Sequence, residues 1–142
     1  MRKMNLYIRS LFFDESGSGE RMESRTVCEL SEGFSELTLR YADEENGIGK
    51  TELFIKKGTP CVVKMKNTQT ETVFSVGKTH TSLYTVEGLG SFDFAVTATR
   101  IEADITEEKG GKLRLDYTSV IGGARRRTVM TLELAPTEEE RV

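Results

Sequence analysis

Apolar and polar residues alternate along most of the chain with a period of two, and the alternating segments are rich in Thr, Val, Ile, Phe and Tyr. Turn-forming clusters interrupt them at 14–19 (DESGSG), 31–33 (SEG), 45–47 (ENG), 57–60 (KGTP), 67–69 (NTQ), 77–78 (GK), 87–90 (EGLG), 108–111 (EKGG) and 122–123 (GG). Nine breaks leave ten candidate strands, and no segment carries the spacing of an amphipathic helix.

Gly122-Gly123 is suited to a two-residue turn with both residues at positive φ, which fixes the register of its hairpin. Ile121 then faces Ala124, Ser119 faces Arg126, Tyr117 faces Thr128, Leu115 faces Met130 and Leu113 faces Leu132. These pairs form one nearly continuous apolar face. A turn at Gly77-Lys78 pairs Thr72 with Leu83, Phe74 with Thr81 and Ser75 with His80. A turn at Asn46-Gly47 sets Leu39 against Phe54 and Arg40 against Leu53, which mixes apolar and polar faces.

Short connections make consecutive strands antiparallel neighbours, a meander. Eight to ten strands of this kind avoid exposed edges by closing into an up-and-down β-barrel, so the expected fold class is an all-β, closed antiparallel barrel. Within GLGSFDFAVTATRIEADI (88–105) the apolar residues change phase, with Phe92, Phe94 and Val96 at even positions and Ile101, Ala103 and Ile105 at odd ones. A long strand curving around a small barrel must bend, and one extra residue between Thr97 and Arg100 would swap its inward face.

The length of 142 residues fits one domain able to bury a core, expected over 1–135, followed by a short acidic tail at 136–142. A net charge of -3, with Lys+Arg 20 against Asp+Glu 23, lacks the basic excess of a nucleic-acid binder. The N-terminal run MRKMNLYIRSLFF is interrupted by Arg9 and does not read as a signal peptide, and no apolar run reaches membrane-spanning length. Cys28 and Cys61 form no C-x-x-C pair and are read as reduced thiols of a cytoplasmic protein.

No catalytic constellation, metal site or cofactor motif emerges. His80 is the only histidine and is read as a surface residue beside Ser75. The carboxylate groups Asp43-Glu44-Glu45, Glu107-Glu108 and Glu138-Glu139-Glu140 fall in turns or at the C-terminus, where solvation rather than acid–base pairing is expected. Lys56, Lys57, Lys64 and Lys66 make a basic patch with Phe54 as its only nearby aromatic. Such lysines suit RNA or an acidic protein, or simply protect strand edges.

In Arg125-Arg126-Arg127 the strand alternation turns Arg126 the opposite way from its neighbours, onto the face of Met130 and Leu132 near a barrel mouth. There it either clamps a carboxylate or phosphate, or snorkels to the rim and pairs with an acidic loop. Thr72, Thr81 and Thr128 are assigned inward, with Thr38 and Thr51 as further candidates. They report either a partly hydrated interior or plain β propensity with cross-strand hydrogen bonds.

The run SLYTVEGLGSFDFAVTATRIEADITEEKGGKLRLDYTSVIGG carries Tyr84-Thr85 before Gly88 and Gly90, the Phe92/Phe94 alternation leading to Ile101, Gly110-Gly111, and Leu113, Leu115 and Tyr117 before Gly122. Together with Leu39-Arg40-Tyr41 and the strand from Ile48, this resembles the YwiB-like family of small bacterial proteins of unknown function. The resemblance implies a lipocalin-like, calycin-type barrel and supplies no catalytic residues. The resulting expectation is a non-enzymatic barrel that takes a small amphipathic or anionic ligand at its mouth, lined by Arg126, Tyr117, Thr128, Ser119 and Met130. The alternative is a filled barrel that binds protein or RNA through its outer surface. No cofactor or membrane partner is expected, and the oligomeric state is left open.

Overall fold

The computed structural model describes residues 2–43, 49–58 and 60–137, apart from the side chain of Asp43. Ten strands follow in chain order: β1 (Arg2–Phe13), β2 (Gly19–Glu32), β3 (Glu36–Asp43), β4 (Gly49–Lys56), β5 (Val62–Lys66), β6 (Glu71–Phe74), β7 (Thr79–Val86), β8 (Gly90–Thr106), β9 (Gly110–Ile121) and β10 (Ala124–Pro136). They form a single antiparallel sheet in the order β6-β5-β4-β3-β2-β1-β10-β9-β8-β7. The sheet curls on itself, so that β6 and β7 meet as a nearly closed barrel. A meander needs only turns as connections, which is what the spacing of Gly, Asn and Asp allows.

The β9–β10 register matches the alternation pair for pair, from Ile121↔Ala124 through Ser119↔Arg126 and Tyr117↔Thr128 to Leu113↔Leu132. The phase change in β8 is a bulge. The β8–β9 register shifts between Ala98 and Arg100, leaving Thr99 as the extra residue. Before it Phe94, Val96 and Ala98 are buried; after it Ile101 and Ile105 turn inward instead. The Thr99 hydroxyl donates to the Asp116 carbonyl at 3.0 Å, and the bulge falls where β7 stops pairing with β8, at Thr79↔Thr97. Phe92 shares the face of Phe94 but stays 37% exposed, because the hairpin carries it past the barrel rim.

Two registers differ from the sequence-based expectation. In β3–β4, Leu39 pairs with Leu53 and Arg40 with Glu52, one residue away from the expected pairing. This segregates apolar from charged faces, and Thr38 moves outward opposite Phe54. The Asn46-Gly47 turn itself lies outside the described residues. Between β6 and β7 the turn is Val76-Gly77, with Ser75 bridged to Lys78 and Gly77 at φ 76°, instead of Gly77-Lys78. Leu83 and Thr81 therefore face solvent, while Tyr84 and His80 turn inward. His80 is half-buried opposite Val96, not a surface residue.

No ladder joins β6 to β7 among the described residues. The seam is held instead by the loop before β6. Thr85 N donates to Gln69 O at 2.9 Å, the Thr70 hydroxyl donates to Leu83 O at 2.9 Å, and the Tyr84 phenol donates to Gln69 Oε1 at 2.7 Å.

The barrel is filled over only part of its length. At the end formed by the β2–β3, β4–β5 and β8–β9 turns, Met4, Leu6, Leu30, Leu39, Leu53, Ile55, Leu113, Leu115 and Leu132 are at most 1% exposed. Two glutamates tie this end shut: Glu32 N donates to Glu107 Oε2 at 3.1 Å, and Glu107 N donates to Glu32 Oε1 at 2.9 Å. Lys57 pairs with Glu32 as well. No helix of the described structure is long and apolar enough to cross a membrane.

Candidate functional site

The opposite end, formed by the β1–β2, β5–β6, β7–β8 and β9–β10 turns, opens into a cavity of about 340 Å³. That volume lies at the small end of the range of ligand pockets. Its floor is aromatic. Phe74 of β6 and Tyr117 of β9 sit 4.8 Å apart between ring centroids at 55°, above the packed leucines. Tyr84 and Phe94 extend the aromatic wall toward the mouth, 5.6 Å apart. Tilted rings at such distances pack favourably beyond their area burial, which makes the floor rigid.

Four of the five residues expected to line the mouth do so: Arg126, Tyr117, Ser119 and Met130. Arg126 is exposed, and its guanidinium stacks on the Phe12 ring 4.3 Å from the centroid. No carboxylate pairs with it among the described residues. Ser119 is buried, and its hydroxyl donates to the Arg126 carbonyl at 3.5 Å. Tyr117 is buried, and burial raises its phenol pKa, with the Thr128 hydroxyl and Arg126 acting in the opposite direction. A phenol held protonated donates a hydrogen bond rather than abstracting a proton.

Thr128 is the exception. It faces Tyr117 as expected, but it is 0% exposed, does not line the cavity, and its hydroxyl has no well-formed hydrogen bond. Strand alternation gives the face of a side chain and not what covers it: Met130, one step farther from the mouth on the same face, still reaches the cavity. Of the other threonines assigned inward, Thr72 is buried and lines the cavity, Thr51 is buried in the core, and Thr81 is exposed.

The residues that alternation missed come from the loop between β5 and β6. Asn67, Gln69 and Thr70 line the cavity wall across from Arg126. Asn67 shapes this loop, its Oδ1 accepting from Gln69 N at 2.8 Å and Thr70 N at 3.0 Å. An asparagine at the head of NTQT is the ordinary signal of such an Asx turn, but nothing local tells that the turn points into a barrel mouth.

Other sequence-level candidates have structural roles. Lys57 and Lys64 pair with Glu32 and Glu71, so two of the four lysines in the basic patch are neutralised by neighbours. Arg127 forks onto Asp116 on the outer face, with contacts of 3.1 Å and 2.8 Å. The Arg127 side chain holds the Asp116 carboxyl below the usual aspartate value. Cys28 and Cys61 are free; burial pushes the Cys28 thiol up to about 12 and raises that of Cys61. The described residues contain no group of three or more His, Cys, Asp or Glu side chains arranged to hold a metal ion.

The barrel is similar to that in the crystal structure of the YwiB protein from Bacillus subtilis, with a TM-score of 0.69 over 96% of this chain and 93% of that chain, at 20% identity. No curated protein matches the sequence significantly. A family model described as a domain of unknown function (DUF1934) matches residues 7–130, which spans β1 to β10 and the whole cavity wall, and the chain belongs to that family.

Proposed function

We propose that this protein is a lipocalin-like binding barrel of the bacterial cytoplasm that takes a small amphipathic anion in its mouth, and that it binds rather than catalyses. The observation that carries the reading is the half-filled interior. A chain with enough leucine to pack one end to near-zero exposure leaves about 340 Å³ at the other, lined by aromatic rings, hydroxyls, amides and one guanidinium. Protein interiors close voids where they can, so a cavity with convergent polar groups favours a ligand. Arg126 supplies the only charge among the described lining residues, and its sign selects an anion.

Hydroxyls, amides and a protonated phenol hold a molecule in place. Among the described lining residues no carboxylate, histidine or thiol stands ready as a base or nucleophile. The free thiols of Cys28 and Cys61 support a reducing compartment. The competing surface reading has less support, because Lys57 and Lys64 are committed to Glu32 and Glu71.

Native mass spectrometry of freshly purified protein tests the proposal. Extra mass that is lost on denaturation and reduced in Arg126→Ala is the expected result. Bare protein from several preparations, with unchanged spectra on addition of small aromatic carboxylates, would contradict it.

A further inference from the structure

Of the two carboxamides at the mouth, that of Asn67 has its orientation fixed by what its oxygen already accepts. Asn67 Oδ1 takes the backbone N–H groups of Gln69 and Thr70, which can only donate, so its Nδ2 group is the end left over. Gln69 Oε1 accepts the Tyr84 phenol proton at 2.7 Å, an arrangement that leaves Nε2 over. Neither amide nitrogen has an acceptor among the described residues, and both residues line the cavity. The sheet order puts β5 and β6 on the far side of the barrel from β10. The mouth therefore has hydrogen-bond donors on two opposite walls: the guanidinium of Arg126 on one, and the amide groups of Asn67 and Gln69 on the other.

Depth sets a second limit. Below Phe74 and Tyr117 the barrel is packed, with Leu113, Leu115 and Leu132 fully buried, so there is no channel for a long chain to enter. From these two observations, and resting on the ligand-binding reading above, we infer that the ligand is a compact, ring-containing oxyanion that carries a second oxygen acceptor away from its charge. Arg126 receives the anion, Asn67 and Gln69 receive the second oxygen, and the ring lies on the aromatic floor. Long-chain fatty acids are excluded.

Three probes of matched charge test this: 4-acetylbenzoate, 4-isopropylbenzoate, which has the same shape without the keto oxygen, and dodecanoate, each titrated by calorimetry. The wild-type protein is expected to prefer 4-acetylbenzoate over 4-isopropylbenzoate by about five-fold, the worth of one hydrogen bond, and over dodecanoate by about ten-fold or more. The double variant Asn67→Asp/Gln69→Glu keeps both acceptor oxygens, and with them the Asx turn and the Tyr84 bond, but removes the donors. Its added charge weakens both benzoates alike, so the ratio of their affinities isolates the second contact and is expected to fall to one or below. Gln69→Glu alone gives the same test, at smaller amplitude, with the turn untouched.

Equal affinity of the wild type for the two benzoates, or dodecanoate binding as tightly as either, overturns this inference while leaving a ligand-binding barrel standing. Failure of all three probes to bind also overturns it. Failure of the binding reading itself shows separately, as bare protein in native mass spectrometry.

Discussion

The two ends of the barrel are built from the same strands and solve opposite problems. At the closed end, side chains interdigitate to exclusion of solvent, and turns are drawn together by backbone N–H groups donated to Glu32 and Glu107. At the mouth, Ser, Thr, Asn, Gln, Tyr and one Arg join Phe, Met and Ile side chains, and the turns stand apart around a cavity. The difference shows that the open end is not a failure of packing. Ser119 and Tyr117 lie on the same strand face as Leu115 and Leu113, so a few residues along β9 the chain exchanges aliphatic filling for hydrogen-bonding capacity.

The sharpest contrast lies in the glycines. A Cβ on Gly111, at φ 141°, would sit 1.9 Å from the Asp104 carbonyl oxygen, whereas one on Gly123, at φ 86°, meets nothing within 4 Å. Gly111→Ala is expected to destabilise by about 4 kcal/mol or to prevent folding, against about 1 kcal/mol for Gly123→Ala, where only the left-handed backbone is strained. Urea unfolding of the two variants measures this, and equal costs would contradict the claim that the closed end is the tighter one.

Core truncation sharpens the same comparison. Leu132→Ala, in the packed half, is expected to cost about 3 kcal/mol because it opens a void that neighbours cannot fill. Met130→Ala, two residues away at the cavity wall, is expected to cost about 1 kcal/mol, since its side chain already borders open space. The two urea midpoints would order the variants, and a reversed order would mean that the cavity is not open in solution.

Arg126→Ala should separate binding from stability. Its loss removes an exposed stack on Phe12, worth about 0.5 kcal/mol of stability, while lowering the affinity for an aromatic carboxylate about ten-fold or more. Calorimetric titration alongside thermal unfolding reads both.

The smallest effect concerns pH. The backbone N–H of Glu107, followed by the Lys57 ammonium, holds Glu32 below its ordinary value of 4.5, and the backbone N–H of Glu32 does the same for Glu107. A carboxylate whose folded pKa is depressed contributes stability above its unfolded value, and that contribution is lost as pH falls through the folded value. Stability should therefore decline below about pH 4.5, and Glu32→Gln/Glu107→Gln should flatten that decline. Neither group is buried, so the change is modest. An identical pH profile for the variant would remove the two glutamates from the closure of this end.

Much of the fold was legible because a period of two combined with rigid turn chemistry leaves few choices. The Gly122-Gly123 turn and two independent alternations fixed the β9–β10 register, and the phase flip in β8 placed its bulge near Thr97 to Arg100, where the structure has Thr99. Where the turn residues were less decisive, the register slipped. Gly77 sits at the second turn position and not the first, which reversed the faces of Thr81, Leu83 and Tyr84. The site was legible only on the strands. Arg126, Ser119, Tyr117 and Met130 followed from alternation, whereas Thr128, between Arg126 and Met130 on the same face, is shut off from the cavity, which alternation does not show. Asn67 and Gln69 could not be found in this way, since a loop has no period and its aim depends on barrel closure.

The most direct test of a functional mouth above a structural base is amide NMR mapping of bound 4-acetylbenzoate. Shifts confined to Asn67–Thr72, Phe94 and Ser119–Arg126, with Leu39, Leu113 and Leu132 silent, are the predicted result. Shifts centred on the closed end or the outer faces, with the mouth amides unmoved, would contradict it.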